Sequence, residues 1–456
     1  MSITRLLQQA SGDSADAEDP YFADVSLLLD GDGTNGANNN TFTDSSSVGA
    51  TVTPDAVEQG SFSPYATSSP LNMTTDGGSG YFAAGRAYVR LPDNDAYCPE
   101  AGDFTIEAWV HPLKQNAYQA IWSKWSSGRQ EIFFYINTSN KLSFTLGTTA
   151  SGTLVSSTAP IAINSWTHVA AVRNGNALYL YVNGIQSGAV AYSGTVPNRA
   201  DDVYIGDYKL AGYYPLEGYL SDVRWTKGTA VYTGNFTPPT TPLTATSNTK
   251  ALLNFQDAGI YDLAGKSDIG IVGNAQIDTA VKKYGTGSIK FDGTGDYLPT
   301  PSSEEFVFGT GDFTIEGWAY NAPNNHAGLF QISSTAGGLS PSLSNTLAVG
   351  MRTNSSVWQV YANGSATDAT QTWSSNTWYH FAMVRNSGAL KLYVNGTAVI
   401  TIASDTTNYT CSNLVVGGYY STTYLLNGYI DDFRITKGVA RYTSNFTPPT
   451  AALPKF

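Results

Sequence analysis

The chain has 456 residues, only 13% of them charged, and a formal net charge of −12. So acidic a chain, with few clustered Lys or Arg, is a poor partner for nucleic acid or an anionic membrane surface. Abundant Gly, Ser, Thr, Asn and Tyr point to an all-β protein with many turns, and the length fits two domains of about 200 residues.

In chain order, residues 1–22 read as an N-terminal arm. MSITRLLQQASGDSADAEDP lacks the apolar run of a signal peptide, and no stretch has the length of a membrane span. The expectation is a protein made soluble in the cytoplasm. Leu6 and Leu7 offer something to bury, and the acids from Asp13 to Asp19 follow with almost no large apolar residue. Such a segment orders on a partner rather than alone. Next, VSLLL (Val25–Leu29) suits a buried strand, and DGDGTNGANNN is a polar turn. In GDFTIEAWVHP (Gly102–Pro112), alternation puts Phe104, Ile106 and Ala108 on one face and Thr105, Glu107 and Trp109 on the other. That pattern describes a half-buried strand of an antiparallel sheet.

IWSKW, EIFFYI and KLSFTL continue as strands. Asn174-Gly175 and Asn183-Gly184, each between apolar-rich runs, mark two hairpins. The segment then closes with Gly218–Thr240, GYLSDVRWTKGTAVYTGNFTPPT, which recurs without a gap as Gly428–Thr450, GYIDDFRITKGVARYTSNFTPPT. GDFTIEGWAYN (Gly311–Asn321) and TWYHFAMVRNSGALKLYVNGTAVI repeat the earlier motifs. A self-match at this spacing means two copies of one domain, not a solenoid. The expected division is 1–22 arm, 23–240 first domain, 241–250 linker and 251–456 second domain, with one strand order in both. A helical turn is expected at TKGTAVY and TKGVARY, and Trp166 and Trp378 are expected to be largely buried. Cys98 and Cys411 occupy non-equivalent places and read as two free thiols.

The motifs FDGTGDYL, FTIEGW, WYHFAMVR, LYVNG, VGG and GYIDDFRI resemble the laminin-G-like, concanavalin A-like lectin/glucanase superfamily, twice over, across nearly all of residues 23–450. The resemblance implies two tandem jelly-roll sandwiches of antiparallel sheets. TKGVARYTSNFTPPT is similar to the variant of this domain found in tailed-phage structural proteins.

Fold does not give function, so each candidate site is weighed on its residues. A glucanase needs paired carboxylates on one strand face. Glu107 has Thr105 and Trp109 as same-face neighbours, and Glu316 has Thr314 and Trp318. Both therefore read as structural, hydrogen-bonded within the sheet, and the chain reads as no enzyme. His168 and His380 share the W-x-H position and read as sheet histidines. GTGSIKF at 285–291 lacks the end of a phosphate loop and reads as a hairpin turn.

Calcium is a further candidate. Asp30, Asp32 and Asn35 set several oxygens in one loop, as Ca²⁺ requires, although this is no EF-hand. The resemblance implies a structural Ca²⁺ near the ends of the first and last strands. That adds Asp222 and Asp432 in the closing strands, and Asp257 roughly where Asp30 or Asp32 would stand. The competing reading is a solvated turn with Asp222–Arg224 or Asp432–Arg434 pairs.

A sugar platform is the last candidate. Tyr208, Tyr213 and Tyr214, with Tyr419, Tyr420 and Tyr424, cluster in the loop before each closing strand. The competing reading is that they pack between strands. The functional expectation is a non-enzymatic phage virion protein, in the capsid decoration or a tail or fibre. Its arm would bind other virion proteins through Leu6 and Leu7, its lectin-like domains would touch host glycans, and a homo-oligomeric state is compatible with this role. The alternative is a bacterial cell-surface or secreted lectin or adhesin.

Overall fold

The computed structural model describes residues 18–455 apart from 67, 69, 84, 127–128, 149–153, 209–213, 322–326, 335–342, 353–356 and 420–423. Among the described residues regular structure is almost all antiparallel strand, and the helical pieces are turns of three or four residues. No helix there is long and apolar enough to cross a membrane. The turn expected to be helical after each closing strand is irregular instead.

Two compact units divide the chain. The first comprises Asn38–Ser68 and Asn72–Gly259, and the second takes the residues up to Ala37, Ser69–Leu71 and those from Ile260 onward. In the first unit one sheet runs Ile185–Ala191, Ala177–Val182, Thr167–Asn174, Phe104–Pro112, Gly218–Lys227, Ser79–Phe82, Val57–Gly60. Its second sheet runs Val155–Pro160, Lys141–Thr148, Arg129–Ile136, Gln119–Ser126, Val203–Ile205, Tyr88–Leu91, Thr53–Asp55. The second unit repeats both orders, from Thr397–Ile402 to Gln276–Asp278 and from Ser365–Thr372 to Leu298–Pro299, with one strand fewer in the second sheet. The common strand order expected of two copies is therefore present.

Alternation sets each core. Phe104, Ile106 and Ala108 face inward with Ile132, Phe134, Leu142 and Phe144. Phe313 and Ile315 do the same beside Phe330, Val349 and Phe381. Thr105 and Glu107 on the opposite face are fully buried as well, so this strand is not half-exposed as alternation suggests. The cause is the second half of the repeated closing stretch. After the strand Gly218–Lys227 the chain turns back as a strap across the outer face. Val231 N–H donates to Thr105 Oγ1 at 2.8 Å, and Phe236 N–H donates to the Gly184 carbonyl at 2.9 Å. In the second unit Arg441 N–H reaches Thr314 Oγ1 at 2.9 Å, and Phe446 N–H reaches the Gly396 carbonyl at 2.9 Å. The strap approaches so closely that a Cβ at Gly184 or Gly396 would lie 1.9 or 1.8 Å from its carbonyl oxygens. Both glycines also have positive φ, as a tight Asn-Gly hairpin demands.

The opening strands do not lie where repeat order suggests. Val25–Leu29 pairs with Asn427–Lys437 of the second unit, with Leu27 opposite Ile435 and Leu29 opposite Phe433. Thr249–Leu253 pairs with Gly218–Lys227 of the first unit, with Ala251 opposite Trp225 and Leu253 opposite Val223. Aspartates fasten both. Asp262 accepts Leu28 N–H at 2.8 Å within the second unit, and Asp44 accepts Leu252 N–H at 3.0 Å within the first. Each repeat thus has its opening strand supplied from sequence ahead of the other repeat. The expected boundaries differ accordingly. Residues 23–37 belong with the second repeat, and the stretch 241–250 is part of the first unit rather than a free linker.

The described end of the arm is also folded. Asp19 is buried, and its carboxylate accepts from Arg434 at 2.8 Å and from Arg441 at 2.9 and 2.7 Å. Leu6 and Leu7 lie outside the described residues. Trp166 and Trp378 are half-buried, not core residues. They sit on the outer face with their W-x-H histidines, Trp166 against Phe62 and His111 and Trp378 against Tyr320. Cys98 and Cys411 are free and buried.

Candidate functional site

The repeated glutamates are fully buried, one in each unit. Glu107 Oε1 accepts two hydrogen bonds from Arg224, at 2.9 and 2.6 Å. Its Oε2 accepts from the Tyr232 hydroxyl at 2.6 Å and lies 3.2 Å from His168 Nε2. Burial alone would raise its pKa, but His168, Arg224 and Tyr232 outweigh burial and hold the carboxyl below its usual range. Glu316 repeats the arrangement with Arg434 at 3.1 and 2.7 Å, Tyr442 at 2.7 Å and His380 at 3.4 Å. An ionised carboxylate only accepts, so the ring nitrogen facing it carries a hydrogen. These glutamates hold sheet, strap and closing strand together. With every oxygen engaged and no exposure, neither can approach a glycosidic bond. The arginines pair with the glutamates, not with Asp222 or Asp432 as the competing reading had it.

The six calcium candidates do not assemble into one donor set. Asp222 and Asp257 belong to the first unit, where the Tyr65 hydroxyl donates to Asp222 and Thr43 N–H donates to Asp257 at 2.9 Å. In the second unit Lys455 Nζ donates to Asp30 at 2.5 Å and to Asp32 at 3.0 Å. Asn35 accepts Thr279 N–H at 3.1 Å, and Asp432 accepts Leu453 N–H at 3.1 Å. No group of three or more His, Cys, Asp or Glu among the described residues could hold a metal ion. An ammonium is the counter-ion of Asp30 and Asp32. Burial pushes Asp432 up to about 8, with the neighbouring Asp431 charge adding to it, and burial likewise raises Asp431 to about 7. Burial raises Asp222 to about 7.

The tyrosine clusters divide differently. In the first unit the loop after Val203–Ile205 is held at its ends by Leu216 N–H to the Gly206 carbonyl, 2.7 Å, and Ala120 N–H to the Tyr214 carbonyl, 2.8 Å. It lays Tyr208 and Tyr214 on the outer face of the second sheet. Ile132, Phe134 and Ile136 point into the core, so Phe133 and Tyr135 point out. Tyr214 meets Phe133 at 5.6 Å and Tyr118 at 4.8 Å between ring centres, and Tyr208 meets Trp125 at 4.5 Å. Phe133, Tyr135 and Tyr208 are buried and form the floor. Tyr118, 41% exposed, and the half-buried Tyr214 and Trp125 form the accessible surface. Tyr208 therefore supports the surface and does not present its own face. Tyr118, Trp125, Phe133 and Tyr135 are additional members whose signal in the sequence was the unbroken aromatic run Phe133-Phe134-Tyr135, which must put rings on both faces of its strand.

In the second unit Tyr419 is 1% exposed and donates its hydroxyl to Gln359 at 3.1 Å. It lies flat across Gly328 and Gly350, where any Cβ would fall 2.1–2.2 Å from the ring. Tyr424 stacks on it at 6.2 Å. Beyond it the surface turns polar, with Arg352 bound to Asp368 at 2.5 Å and Gln359 to the same carboxylate at 2.6 Å. Tyr419 is thus a packing residue, as the competing reading proposed. Tyr213 and Tyr420 lie outside the described residues.

A laminin-G family model described as the concanavalin A-like lectin/glucanases superfamily matches residues 83–230 and 292–441. No curated protein sequence matches the chain. Among solved structures, domains LG4-5 of the mouse laminin alpha1 chain are 12% identical, covering 84% of this chain and 95% of that one at a TM-score of 0.29. Domain 4 of AbnA, a GH43 extracellular arabinanase from Geobacillus stearothermophilus solved with arabinotriose, is 15% identical, covering 40% and 88% at 0.31. The native heptameric SAP-like pentraxin from Limulus polyphemus is 19% identical, covering 32% and 73% at 0.26. The two family-model matches together span more than half of the sequence, one in each repeat, and the chain belongs to the concanavalin A-like lectin/glucanases superfamily.

Proposed function

We propose that this protein is a non-enzymatic structural protein of a tailed-phage particle whose lectin-like units bind glycans on the host surface. The observation that carries the glycan reading is the aromatic surface of the first unit, where Tyr118, Trp125 and Tyr214 stand over a buried aromatic floor. An exposed ring with an apolar face and a polar edge suits the C–H face and hydroxyl rim of a sugar. A rigid floor holds the rings in place before a ligand arrives, which lowers the ordering cost of binding. The test is a glycan array probed with the full chain and with Tyr118→Ala and Tyr214→Ala. The reading requires array signals that both substitutions weaken, and an array blank with the unaltered chain contradicts it.

The virion reading is supported by the phage-type closing stretch TKGVARYTSNFTPPT, read from sequence. In this proposal the protein is made in the host cytoplasm, and the residues ahead of Glu18, with Leu6 and Leu7, attach it to other virion proteins. Mass spectrometry of purified virions taken apart in steps tests it. The chain must be present and must leave with one defined component of the particle.

A further inference from the structure

The first unit carries a cleft that shares no residue with the aromatic surface. Its volume is about 480 Å³, within the range of small-molecule sites of about 300–1,000 Å³. Three pieces of chain line it: the loop ending in Ser45, the short turn with Thr74, and the stretch Thr241–Ala245 that follows the strap. The opening strand Thr249–Leu253 and the residues after it complete the cleft with Leu252, Asn254 and Gln256.

The chemistry of the lining is consistent. The side-chain oxygens of Ser45, Thr74, Thr241 and Thr244 make no hydrogen bond to another described residue, and neither does Asn254 Oδ1. Leu243 and the buried Leu252 supply an aliphatic wall. Among the described residues no charged side chain lines the cleft. The backbone there is held rigidly: Asp44 fixes Leu252 N–H at 3.0 Å, Ser45 N–H donates to the Leu252 carbonyl at 2.9 Å, and Gln256 Nε2 donates to the carbonyls of Met73 and Thr74 at 3.0 and 2.9 Å.

The second unit holds charges at the same place. Leu453 N–H is bound by Asp432 there, as Leu243 N–H is bound by Asp222 here. Two residues beyond each leucine stand Lys455 and Ala245. With the opening strands aligned on their registers, Asp30 and Asp32 stand where the first unit has Asn254 and Gln256, so Asp257 is not their counterpart as expected. Lys455 spans Asp30 and Asp32 and occupies that end of the second unit. In the first unit all three charges are gone, and a neutral cleft rimmed by hydroxyl and amide groups remains.

We propose that this cleft binds an uncharged, polyhydroxylated ligand, a single neutral sugar residue. Hydroxyls on the rim exchange hydrogen bonds with a ligand's hydroxyls, while the leucines meet its C–H face. The lack of any charge disfavours a phosphate, a uronic acid or a cation, whose desolvation nothing here would offset. The ligand class rests on the lectin reading above, whereas the location is independent of the aromatic surface.

The test uses saturation-transfer NMR on the full chain with D-glucose, D-galactose, D-mannose and N-acetyl-D-glucosamine, each alone, and D-galacturonic acid as the charged probe. Thr244→Trp and Ser45→Trp fill the cleft from two exposed positions, and their thermal melts report whether the unit still folds. The expected result is transfer to at least one neutral sugar, kept in Tyr118→Ala and lost in both Trp variants at unchanged melting temperature, with none to the uronic acid. No transfer to any neutral sugar overturns the proposal, as does transfer that survives either Trp variant. Transfer lost in Tyr118→Ala but kept in the Trp variants overturns the cleft while leaving the aromatic reading intact.

Discussion

The two units share a strand order and the same buried Glu–Arg–Tyr–His network, yet that network is braced differently in each. In the first unit Arg224 answers Glu107 and also reaches the Thr244 carbonyl, at 3.4 Å. In the second, Arg434 answers Glu316 and also Asp19, which Arg441 holds as well. Two copies of one sequence plan therefore keep the interior and diverge where a segment from elsewhere in the chain is received. The same divergence separates the aromatic surface of the first unit from the polar one of the second, and the open cleft from the ion-paired end.

The largest effect comes from removing a received segment. A chain beginning at Gly31 lacks Asp19 and the strand Val25–Leu29, whose residues are all buried. Each of Leu27, Leu28 and Leu29 loses about 1.5–3 kcal/mol of burial, and Arg434 loses one partner, so the sum rivals a whole domain's stability of about 5–15 kcal/mol. Hydrogen exchange should show Phe313–Asn321 unprotected while Phe104–Pro112 remains protected. Protection of both strands would break the comparison.

Next come the glutamates. Glu107→Gln should cost about 3–5 kcal/mol, the range for leaving a buried charge without its partner. Glu316→Gln should cost less, because Asp19 still faces Arg434. Denaturant unfolding of the two variants, monitored unit by unit, checks the order of the two losses. Neither substitution should alter binding to a glycan array.

A smaller effect depends on pH. Asp432 is pushed from its ordinary value of about 4 to about 8, mainly by burial. The folded form therefore binds this proton more tightly than the unfolded form. Its contribution to stability is full below about pH 4 and is lost as pH rises through about 8. Asp432→Asn should leave the second unit's melting temperature unchanged near pH 4 and raise it near pH 9. Asp432 has positive φ, a conformation that Asn tolerates well, so the substitution adds no backbone strain. Smallest on stability is Tyr118→Ala, which should stay within about 0.5 kcal/mol while weakening glycan binding.

Much of the fold was legible. Period-two alternation identified the inward Phe104, Ile106 and Ala108, and Asn183-Gly184 placed its hairpin. What alternation could not show is that Thr105 and Glu107 are equally buried, because the strap that covers them lies more than a hundred residues further along. The tyrosine loop drew attention to the first unit's aromatic surface, but half its rings come from the strands beneath, and Tyr419 shows the same loop position used for packing. VSLLL was identified as a strand but placed in the first domain, whereas it pairs within the second unit. VSLLL and TKALL are alike, and each meets its closing strand in the same register, so local sequence holds no sign of the exchange. Only the connections settle it, through Asp262 on Leu28 and Asp44 on Leu252.

Paired cysteines test this exchange of opening strands directly. Val25 stands opposite Thr436, and Thr249 opposite Thr226. Opposed residues on antiparallel strands have Cβ atoms about 4.5–5.5 Å apart, close enough for a disulfide after slight adjustment. In a background with Cys98 and Cys411 replaced by Ser, two chains would be oxidised and mapped by peptide mass spectrometry: Val25→Cys with Thr436→Cys, and Val25→Cys with Thr226→Cys. The account predicts an intramolecular disulfide in the first chain and free thiols in the second. A disulfide joining positions 25 and 226, with none joining 25 and 436, would show that each repeat keeps its own opening strand and would contradict the account.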